Sequence, residues 1–405
     1  MIAGAATDAA SRYRSVLGIR HARSLVGAGV LGRLPAATEA LAMLLLVRER
    51  SGSFAVAGAV SGGFALAVGV SFPLQGRLLD RLGHARVLNP LSVLHVLALG
   101  LFVAAAYGGV APAVLVASAA TVGAMTPAVQ AAQRSVWRTL LGEDQTSLAT
   151  AYAIDALLSE IAFVLGPLVA ASCAALGAPV AALAFGGVGT LVGTRWFTAL
   201  PPSRTWRPGS REPGSRRAPI AVAGVRTVAL GALPLGMAFG AVEVALAAYG
   251  RAHGSANLGG VLIATISCGS IAGGLLYGAL ARGGGAVRRY VGLLVALPFT
   301  LGILAISSAV WLMLLLSLPA GMAISPLVAA ENETLNLVAP ANSGIEAYAW
   351  IVTMMVVGGA LGSAAAGALV EADGWRVTMV VACAVSTAGA LLVLMRRRTL
   401  VPATA

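Results

Sequence analysis

Residues 76–86 read GRLLDRLGHAR, a short charged segment that lies between two long apolar stretches of the chain. Charge is rare elsewhere: only 10% of the 405 residues are Asp, Glu, Lys or Arg, and 58% are hydrophobic. A soluble chain carries roughly a quarter of its residues as charged side chains. A charged turn between two membrane-length apolar segments therefore needs a specific reason, and we call this segment the charged loop.

Apolar runs of about 20 residues recur along the chain, and a helix of about that length rises ~30 Å, enough to cross a bilayer core. Twelve such spans are predicted, at 24–47, 53–74, 88–107, 111–133, 150–173, 177–199, 226–249, 256–281, 290–308, 310–330, 345–370 and 374–395. A membrane β-barrel would instead show alternating strands of about ten residues. The sequence predicts an all-α membrane protein with twelve transmembrane helices.

The formal net charge of +12 includes no lysine, because all 27 basic residues are arginine. A Walker-type phosphate loop and a lysine Schiff base are therefore excluded. The arginines are unevenly distributed: 22 fall on the side of both termini, four on the other side, and Arg33 lies inside span 1. This positive-inside pattern predicts a multi-pass protein of the cell membrane with cytoplasmic N- and C-termini, and it argues against nucleic-acid binding.

Residues 201–221 are polar and rich in Pro, Gly and Arg, which is typical of a flexible linker. Six spans precede this segment and six follow it, which predicts helical bundles over 1–200 and 222–405. The bundles share a motif, since Ala-Tyr-Ala occurs at 151–153 and again at 347–349, each with a glycine 14 residues after its tyrosine. The sequence thus predicts two pseudo-symmetric halves with a site between them.

The order Gly-x-Leu-x-Asp-Arg-x-Gly-x-x-Arg in the charged loop resembles the signature loop between helices 2 and 3 of the major facilitator superfamily of secondary transporters. The resemblance covers nearly the whole chain and implies that the halves rock around a central site. It further implies that Gly76 and Gly83 permit the turn, that Asp80 lies at the N-terminus of span 11, and that the loop closes the cytoplasmic face. Arg81 and Arg86 would pair with acids or with lipid phosphates. An ordinary positive-inside loop is the alternative.

Span 5 contains AFVLGPLVAA at 162–171, which resembles the antiporter motif of bacterial twelve-helix drug–proton exporters in the same superfamily. Three glycines of that motif are alanine here, while Gly166 and Pro167 are retained. The resemblance implies close helix packing, a proline kink and export. The alternative is that the Gly-Pro pair only kinks one helix.

Charged side chains inside the spans are costly in lipid, so they are candidates for function or for pairing. Arg33 in span 1 and Glu160 in span 5 lie at the same depth when the rise per residue is counted, and we predict an ion pair between them. The alternative is that Arg33 contacts carbonyls while Glu160 is protonated. Four polar residues at the inner ends of spans 4 and 10 either close an inner gate or are solvated: Gln130, Gln133, Glu331 and Asn332.

Glu39 in span 1 and Glu243 in span 7 are the leading candidates for proton carriers. They are assigned to matching positions of the two half-repeats, and neither has an arginine within one helical turn. Asp155 in span 5 is the third candidate. A carboxyl group in a partly dry cavity loads and releases protons readily. The alternatives are binding of a cationic substrate and packing against outer arginines, and His95 in span 3 is interpreted as a buried imidazole with its hydrogen bonds satisfied.

These features predict proton-coupled efflux of a small organic compound, a drug or a secreted metabolite, by a monomer without cofactor or metal. Proton-coupled uptake of a nutrient is the alternative, and only the partial motif in span 5 separates the two. An intramembrane enzyme is disfavoured because the chain lacks DxxD, DxxxD and Gly-x-Ser-Gly motifs. A non-transporting sensor on the same scaffold is disfavoured by the retained charged loop.

Overall fold

The computed structural model describes residues 11–142, 144–206, 218–254, 258–280, 285–307, 309–340 and 343–400. Every element assigned in these residues is a helix, and eleven helices are long and apolar enough to cross a membrane. The helices are α1 (Ala22–Ser51), α2 (Phe54–Leu82), α3 (His84–Tyr107), α4a (Pro112–Met125), α4b (Val129–Leu141), α5 (Gln145–Ala175), α6 (Pro179–Ala199), α7 (Ala223–Ala252), α8 (Leu258–Leu280), α9 (Ala286–Ala305), α10a (Val310–Gly321) and α10b (Ile324–Val338). The last helical stretch, Gly344–Met395, is discussed next.

Gly344–Met395 comprises two spans rather than one. A straight helix of its 52 residues would be roughly 78 Å long, far more than a bilayer core. Gly374 has φ 83° and ψ 176°, a conformation that suits glycine and separates α11 (344–373) from α12 (375–395). The described residues therefore contain the twelve predicted spans.

The turn inside the charged loop is shorter than the sequence predicts. α2 continues to Leu82 and α3 begins at His84, so Gly83 alone connects them. Gly83 has φ 84°, which other residues rarely adopt. Most of the charged loop is consequently helical, and its charged side chains project from the ends of two helices.

Helices α4 and α10 are both interrupted, and each interruption is capped from a neighbouring helix. Gln75 of α2 donates from Nε2 to the carbonyl of Thr126 over 2.9 Å and accepts from the N–H of Ala128 over 2.9 Å. At the start of α10b, the N–H of Ser325 donates to Oγ of Ser270 in α8 over 3.1 Å. These side chains satisfy backbone groups that a broken helix leaves without partners.

Close glycine contacts show the internal repeat in three dimensions. A Cβ atom built on Gly189 of α6 would lie 3.0 Å from Cγ of Pro35 in α1. A Cβ atom on Gly389 of α12 would lie 2.5 Å from Cγ of Pro234 in α7. Pro35 and Pro234 therefore occupy equivalent places in the two six-helix halves.

The halves meet mainly through α2 with α11, α5 with α8 and α10b, and α4b with α11. Helices α1 and α7 pack within their own halves, and so do the segments α4a and α10a. Buried apolar side chains of both halves form one cluster that includes Leu79, Trp137, Tyr152 and Tyr348. The contacts concentrate toward the end that carries the charged loop and most of the arginines, which we call the basic end.

The predicted linker at 201–221 has short helical pieces at its two ends, Pro201–Thr205 and Pro219–Ala221. Residues 207–217 lie outside the described residues. The linker boundaries at 201 and 221 therefore stay predictions.

Candidate functional site

The charged loop joins the two halves at the basic end. Asp80, near the end of α2, accepts a hydrogen bond at Oδ2 from the backbone N–H of Glu346 in the first turn of α11, over 2.8 Å. The free N–H groups and the dipole at a helix N-terminus favour a carboxylate there. Arg77 in turn donates from Nη2 to Oε1 of Glu346 over 2.8 Å. Asp80 thus lies where the sequence predicts, whereas the Arg77–Glu346 ion pair is not predicted from the sequence.

The remaining residues of the charged loop have different surroundings. A Cβ atom on Gly76 would lie 2.8 Å from Cα of Glu346, so the close approach of α2 to α11 requires glycine. Gly83 supplies the turn described above. Arg81 and Arg86 are exposed and form no ion pair with any described side chain. Lipid phosphates stay the predicted partners of these two arginines.

A buried ionic cluster lies where α1, α4b and α5 meet. Asp155 of α5 accepts at Oδ1 from Nη2 of Arg33 and at Oδ2 from Nε of Arg134, and all three residues are buried. The predicted pair of Arg33 with Glu160 is therefore wrong, because the partner of Arg33 is Asp155. Asp155, the third proton-carrier candidate, is therefore engaged by two guanidinium groups in this conformation.

Arg33 and Glu160 were predicted to pair because they lie at the same depth, but depth does not include the rotation of each side chain about its helix axis. Each residue turns an α-helix by about 100°, so Asp155 and Glu160 point about 140° apart around α5. The Asp155 side chain faces α1 and α4b inside the first half. The Glu160 side chain faces the second half.

Arg134 connects the ionic cluster of the first half to residues of the second half. Its Nη1 donates to Oδ1 of Asn332 in α10b, and its guanidinium carbon lies 3.8 Å from the ring centroid of Tyr348 in α11. A guanidinium stacked on an aromatic ring in this way is attracted by the electrons of the ring face. Arg134 is one of the 22 arginines predicted on the side of both termini, beyond the predicted end of span 4 at 133, whereas α4b extends to Leu141.

Neutral contacts reinforce the same interface. Asn336 donates from Nδ2 to the hydroxyl of Tyr152, and Thr150 donates to the carbonyl of Gly278 over 2.9 Å. The hydroxyl of Tyr13 also donates to a carbonyl of α8 over 3.0 Å. The basic end is therefore closed by polar bonds between the halves.

Glu160 contacts the second half through a serine rather than an arginine. Its Oε1 accepts from Oγ of Ser270 in α8 over 2.7 Å, and Ser270 is also 2.8 Å from Oγ of Ser325 in α10b. Glu160 is half-buried, while both serines are buried. No feature of the sequence indicated these serines.

Glu39 lies in the interior of the first half and not on the face of α1 that is turned to the other half. Its side chain is fully buried, and its Oε1 lies 3.0 Å from Nε2 of His95 in α3. On the α6 side, a Cβ atom on Gly186 would lie 2.6 Å from the same oxygen. His95 thus has the satisfied environment that the sequence predicts, and its partner is Glu39.

Glu243 has the opposite environment. It is exposed on α7, whose other residues nearby are mostly buried, and it forms no hydrogen bond or ion pair with any described residue. The helices that α7 mainly packs against belong to its own half.

The predicted equivalence of Glu39 and Glu243 is wrong. Pro35 corresponds to Pro234, so Glu39, four residues after the first proline, corresponds to Ala238, four residues after the second. The two glutamates therefore belong to different environments in the repeat, one in a core and one on an open surface.

Gly166 and Pro167 lie where α5 crosses α1. A Cβ atom on Gly166 would lie 2.7 Å from Cβ of Ala37, so this position requires glycine. The helix continues through Pro167 without a break. At the equivalent place in the second half, a Cβ atom on Gly362 of α11 would lie 2.1 Å from the carbonyl oxygen of Met237 in α7. These glycines thus pack helices within each half.

No group of three or more His, Cys, Asp or Glu side chains among the described residues offers a metal site. Most of the polar residues described above instead form contacts between helices. Comparison with known families gives the context for this arrangement. A family model described as Major Facilitator Superfamily matches residues 36–344, which is more than half of the chain.

The chain belongs to the major facilitator superfamily. It is therefore a multi-pass membrane transporter that binds a small-molecule substrate and lies in the lipid bilayer. No curated protein sequence is significantly similar to it. The charged loop, the twelve spans and the two halves agree with membership of this superfamily.

Three solved structures of similar fold extend the comparison. The human organic anion transporter MFSD10 (TETRAN) is 16% identical with a TM-score of 0.72, and the match covers 92% of this chain and 99% of that one. A bacterial homologue of the iron transporter ferroportin, in an outward-facing state, is 15% identical with a TM-score of 0.74, over 92% and 98% of the two chains. The E. coli fucose:proton symporter is 14% identical with a TM-score of 0.69, over 91% and 97%. At these identities the likeness concerns the fold alone.

Proposed function

We propose that this transporter exports a small organic compound, a drug or a secreted metabolite, in exchange for protons. It acts as a monomer in the plasma membrane, with the basic end in the cytoplasm. Residues 1–200 rock against 222–405 around a central site, and 201–221 connect them. The polar bonds that close the basic end support the assignment of this conformation as outward-facing.

The observation that carries the proposal is the carboxylate of Glu243, which is exposed on α7 and forms no hydrogen bond or ion pair with a described residue; we place it toward the gap between the halves. A charged side chain at membrane depth is costly unless it serves a ligand or has a partner. A proton and a cationic group of a substrate each neutralise the same carboxylate, so the two ligands compete. Competition for one site accessible from alternate sides yields exchange of substrate for protons.

Among the three proton-carrier candidates, the surroundings favour Glu243. Asp155 is engaged by two arginines, and Glu39 is engaged by His95 inside the first half. Partly exposed positions of α1 supply apolar side chains such as Leu41 and Leu44, which suits an amphipathic compound.

The test is proton flux in proteoliposomes of known orientation, with a panel of hydrophobic cations, weak bases and secreted metabolites. We expect at least one compound to drive proton movement in the opposite direction, and we expect Glu243→Gln to abolish that movement. Glu371→Gln, which removes an exposed carboxylate at the end of α11, is the matched control. Movement of compound and protons in the same direction would indicate uptake instead of export. Unchanged proton flux in Glu243→Gln would refute Glu243 as the proton carrier.

A further inference from the structure

The segment that precedes α1 reaches from the first half to the second. Residues 11–18 are helical, and the hydroxyl of Tyr13 directs its single hydrogen toward two carbonyl oxygens of α8, that of Gly274 at 3.2 Å and that of Leu275 at 3.0 Å. Val16 is buried in the apolar cluster that both halves share. Residues 11–18 therefore contact both halves, and we call them the N-terminal bridge.

The hydroxyl of Tyr13 lies where α5 and α8 approach each other. A Cβ atom on Gly278 of α8 would lie 2.3 Å from the hydroxyl oxygen of Tyr13 and 2.8 Å from Cβ of Ala153 in α5. Thr150 of α5 donates to the carbonyl of the same glycine over 2.9 Å. Glycine at position 278 thus leaves the space that Tyr13 fills, and α5, α8 and the N-terminal bridge meet at this point.

The internal repeat gives this meeting point a counterpart, the contact of α2 with α11. Thr150 and Glu346 are equivalent because each lies immediately before an Ala-Tyr-Ala motif. Thr150 contacts Gly278 of the opposite half, and a Cβ atom on Gly76 would lie 2.8 Å from Cα of Glu346. The contact of α5 with α8 and the contact of α11 with α2 are therefore built on equivalent residues.

Only one of these two equivalent contacts contains an acid. Asp80 follows Gly76 by four residues and accepts from the N-terminus of α11 over 2.8 Å. Residues 279–289, which follow Gly278, contain no Asp or Glu. The hydroxyl of Tyr13 instead donates to α8 there. The N-terminal bridge therefore supplies a bond between the halves at the contact that has no acid.

The N-terminal bridge is tied to the first half. Residues 19–21 alone connect it to α1, and three residues span at most about 11 Å. Nε of Arg23 donates to the carbonyl of Leu17 over 3.2 Å, and the N–H of Ala22 donates to the carbonyl of Ile19 over 3.0 Å. Movement of α1 away from α8 would stretch this connection unless the bridge follows α1. When the halves part at the basic end, Tyr13 therefore leaves α8.

We propose that the N-terminal bridge is a conformational lock: Tyr13, held where α5 and α8 meet, stabilises the closed basic end and leaves α8 when that end opens. A contact that is formed in one conformation and absent from the other shifts the equilibrium toward the first by its own free energy. The lock complements Asp80, which acts at the equivalent contact of α2 with α11. The inference goes beyond the proposed function, because it holds for any substrate and any coupling ion.

The test measures the distance between the halves at the basic end and needs no substrate. Cys173, Cys268 and Cys383 are replaced by Ala, and spin labels are attached to cysteines introduced at two exposed positions, Thr139 in α4b and Arg288 in α9. Electron–electron distance measurements in lipid nanodiscs then give the populations of short and long distances. Opening of the basic end lengthens the distance.

We expect the short distance to predominate in the labelled protein. Tyr13→Phe removes only the hydroxyl and is expected to raise the ratio of long to short distances about 2- to 10-fold, which corresponds to the loss of one hydrogen bond. Tyr13→Ala also removes the packing of the ring, so its effect should be larger. Tyr107→Ala is the matched control, because Tyr107 is exposed and contacts Arg50 within the first half, and it should leave the ratio unchanged.

Gly278→Ala tests the same contact from the side of α8. Its methyl group would collide with the hydroxyl of Tyr13, so we expect this variant to raise the ratio as well. Tyr13→Ala removes the nearer of the two obstacles, and Gly278→Ala should therefore change the ratio by a smaller factor in the Tyr13→Ala background.

An unchanged ratio in Tyr13→Ala would overturn the proposal, and so would a larger short-distance population in that variant. Equal factors for Gly278→Ala with and without Tyr13 would overturn it too, because Tyr13 would then not fill the space beside the glycine. Tyr13→Phe keeps the packing of the ring, so a raised ratio in this variant separates loss of the lock from damage to the fold.

Discussion

At the scale of single residues, Asp155 holds the buried ionic cluster together because it accepts from both Arg33 and Arg134. Removing one partner of a buried ion pair leaves an uncompensated charge and typically costs about 3–5 kcal/mol. We expect Asp155→Asn to lower the free energy of unfolding by about this amount. The measurement is denaturant unfolding of the purified protein in detergent.

A double-mutant cycle distinguishes this pair from the one that the sequence predicts. Arg33→Met and Asp155→Asn are expected to be strongly non-additive, because the second substitution costs less once the guanidinium is gone. Arg33→Met and Glu160→Gln share no contact, so their effects are expected to add within about 0.5 kcal/mol. If instead the effects of Arg33→Met and Glu160→Gln were coupled while those of Arg33→Met and Asp155→Asn were additive, Glu160 would be the partner of Arg33.

The same residues show how far the sequence leads. Depth in the membrane follows from counting residues, and Asp80 follows from a motif, so both were predictable. Rotation about a helix axis decides which neighbour a side chain meets, and helix packing sets that rotation. For this reason the predicted partner of Arg33 is the wrong carboxylate, and Glu39, predicted as a proton carrier in a partly dry cavity, lies in a core beside His95.

At the scale of helices, close glycine contacts set how near two helices approach each other. A Cβ atom on Gly166 would lie 2.7 Å from Cβ of Ala37, whereas a Cβ atom on Gly62 of α2 would meet nothing within 4 Å. We expect Gly166→Ala to destabilise the protein by about 1–3 kcal/mol through overpacking of α5 against α1. Gly62→Ala is expected to be neutral or stabilising by up to about 1 kcal/mol, because alanine favours helix.

Thermal unfolding in detergent compares the two alanine variants directly. Equal effects at both positions would mean that α1 and α5 separate enough to admit a methyl group, which contradicts the close crossing. The sequence shows the repeated glycine after each Ala-Tyr-Ala motif. It does not show that each glycine packs within its own half, because that requires knowing which helices are neighbours.

At the scale of the whole molecule, transport by rocking requires α2 and α11 to separate where the halves now touch. A Cβ atom on Gly69 of α2 would lie 3.4 Å from Cβ of Val356 in α11, close to the 3.5–4.5 Å typical of a disulfide. Cysteines at these two positions, with the three natural cysteines replaced, are therefore expected to cross-link under mild oxidation. Because the link joins the two halves, it should abolish substrate flux in proteoliposomes.

Reduction of the disulfide should restore flux to the level of the unoxidised double variant. The flux of each single cysteine variant should not change on addition of the oxidant. Full transport by the cross-linked protein would show that α2 and α11 move as one body, which would exclude rocking of two rigid halves about this contact.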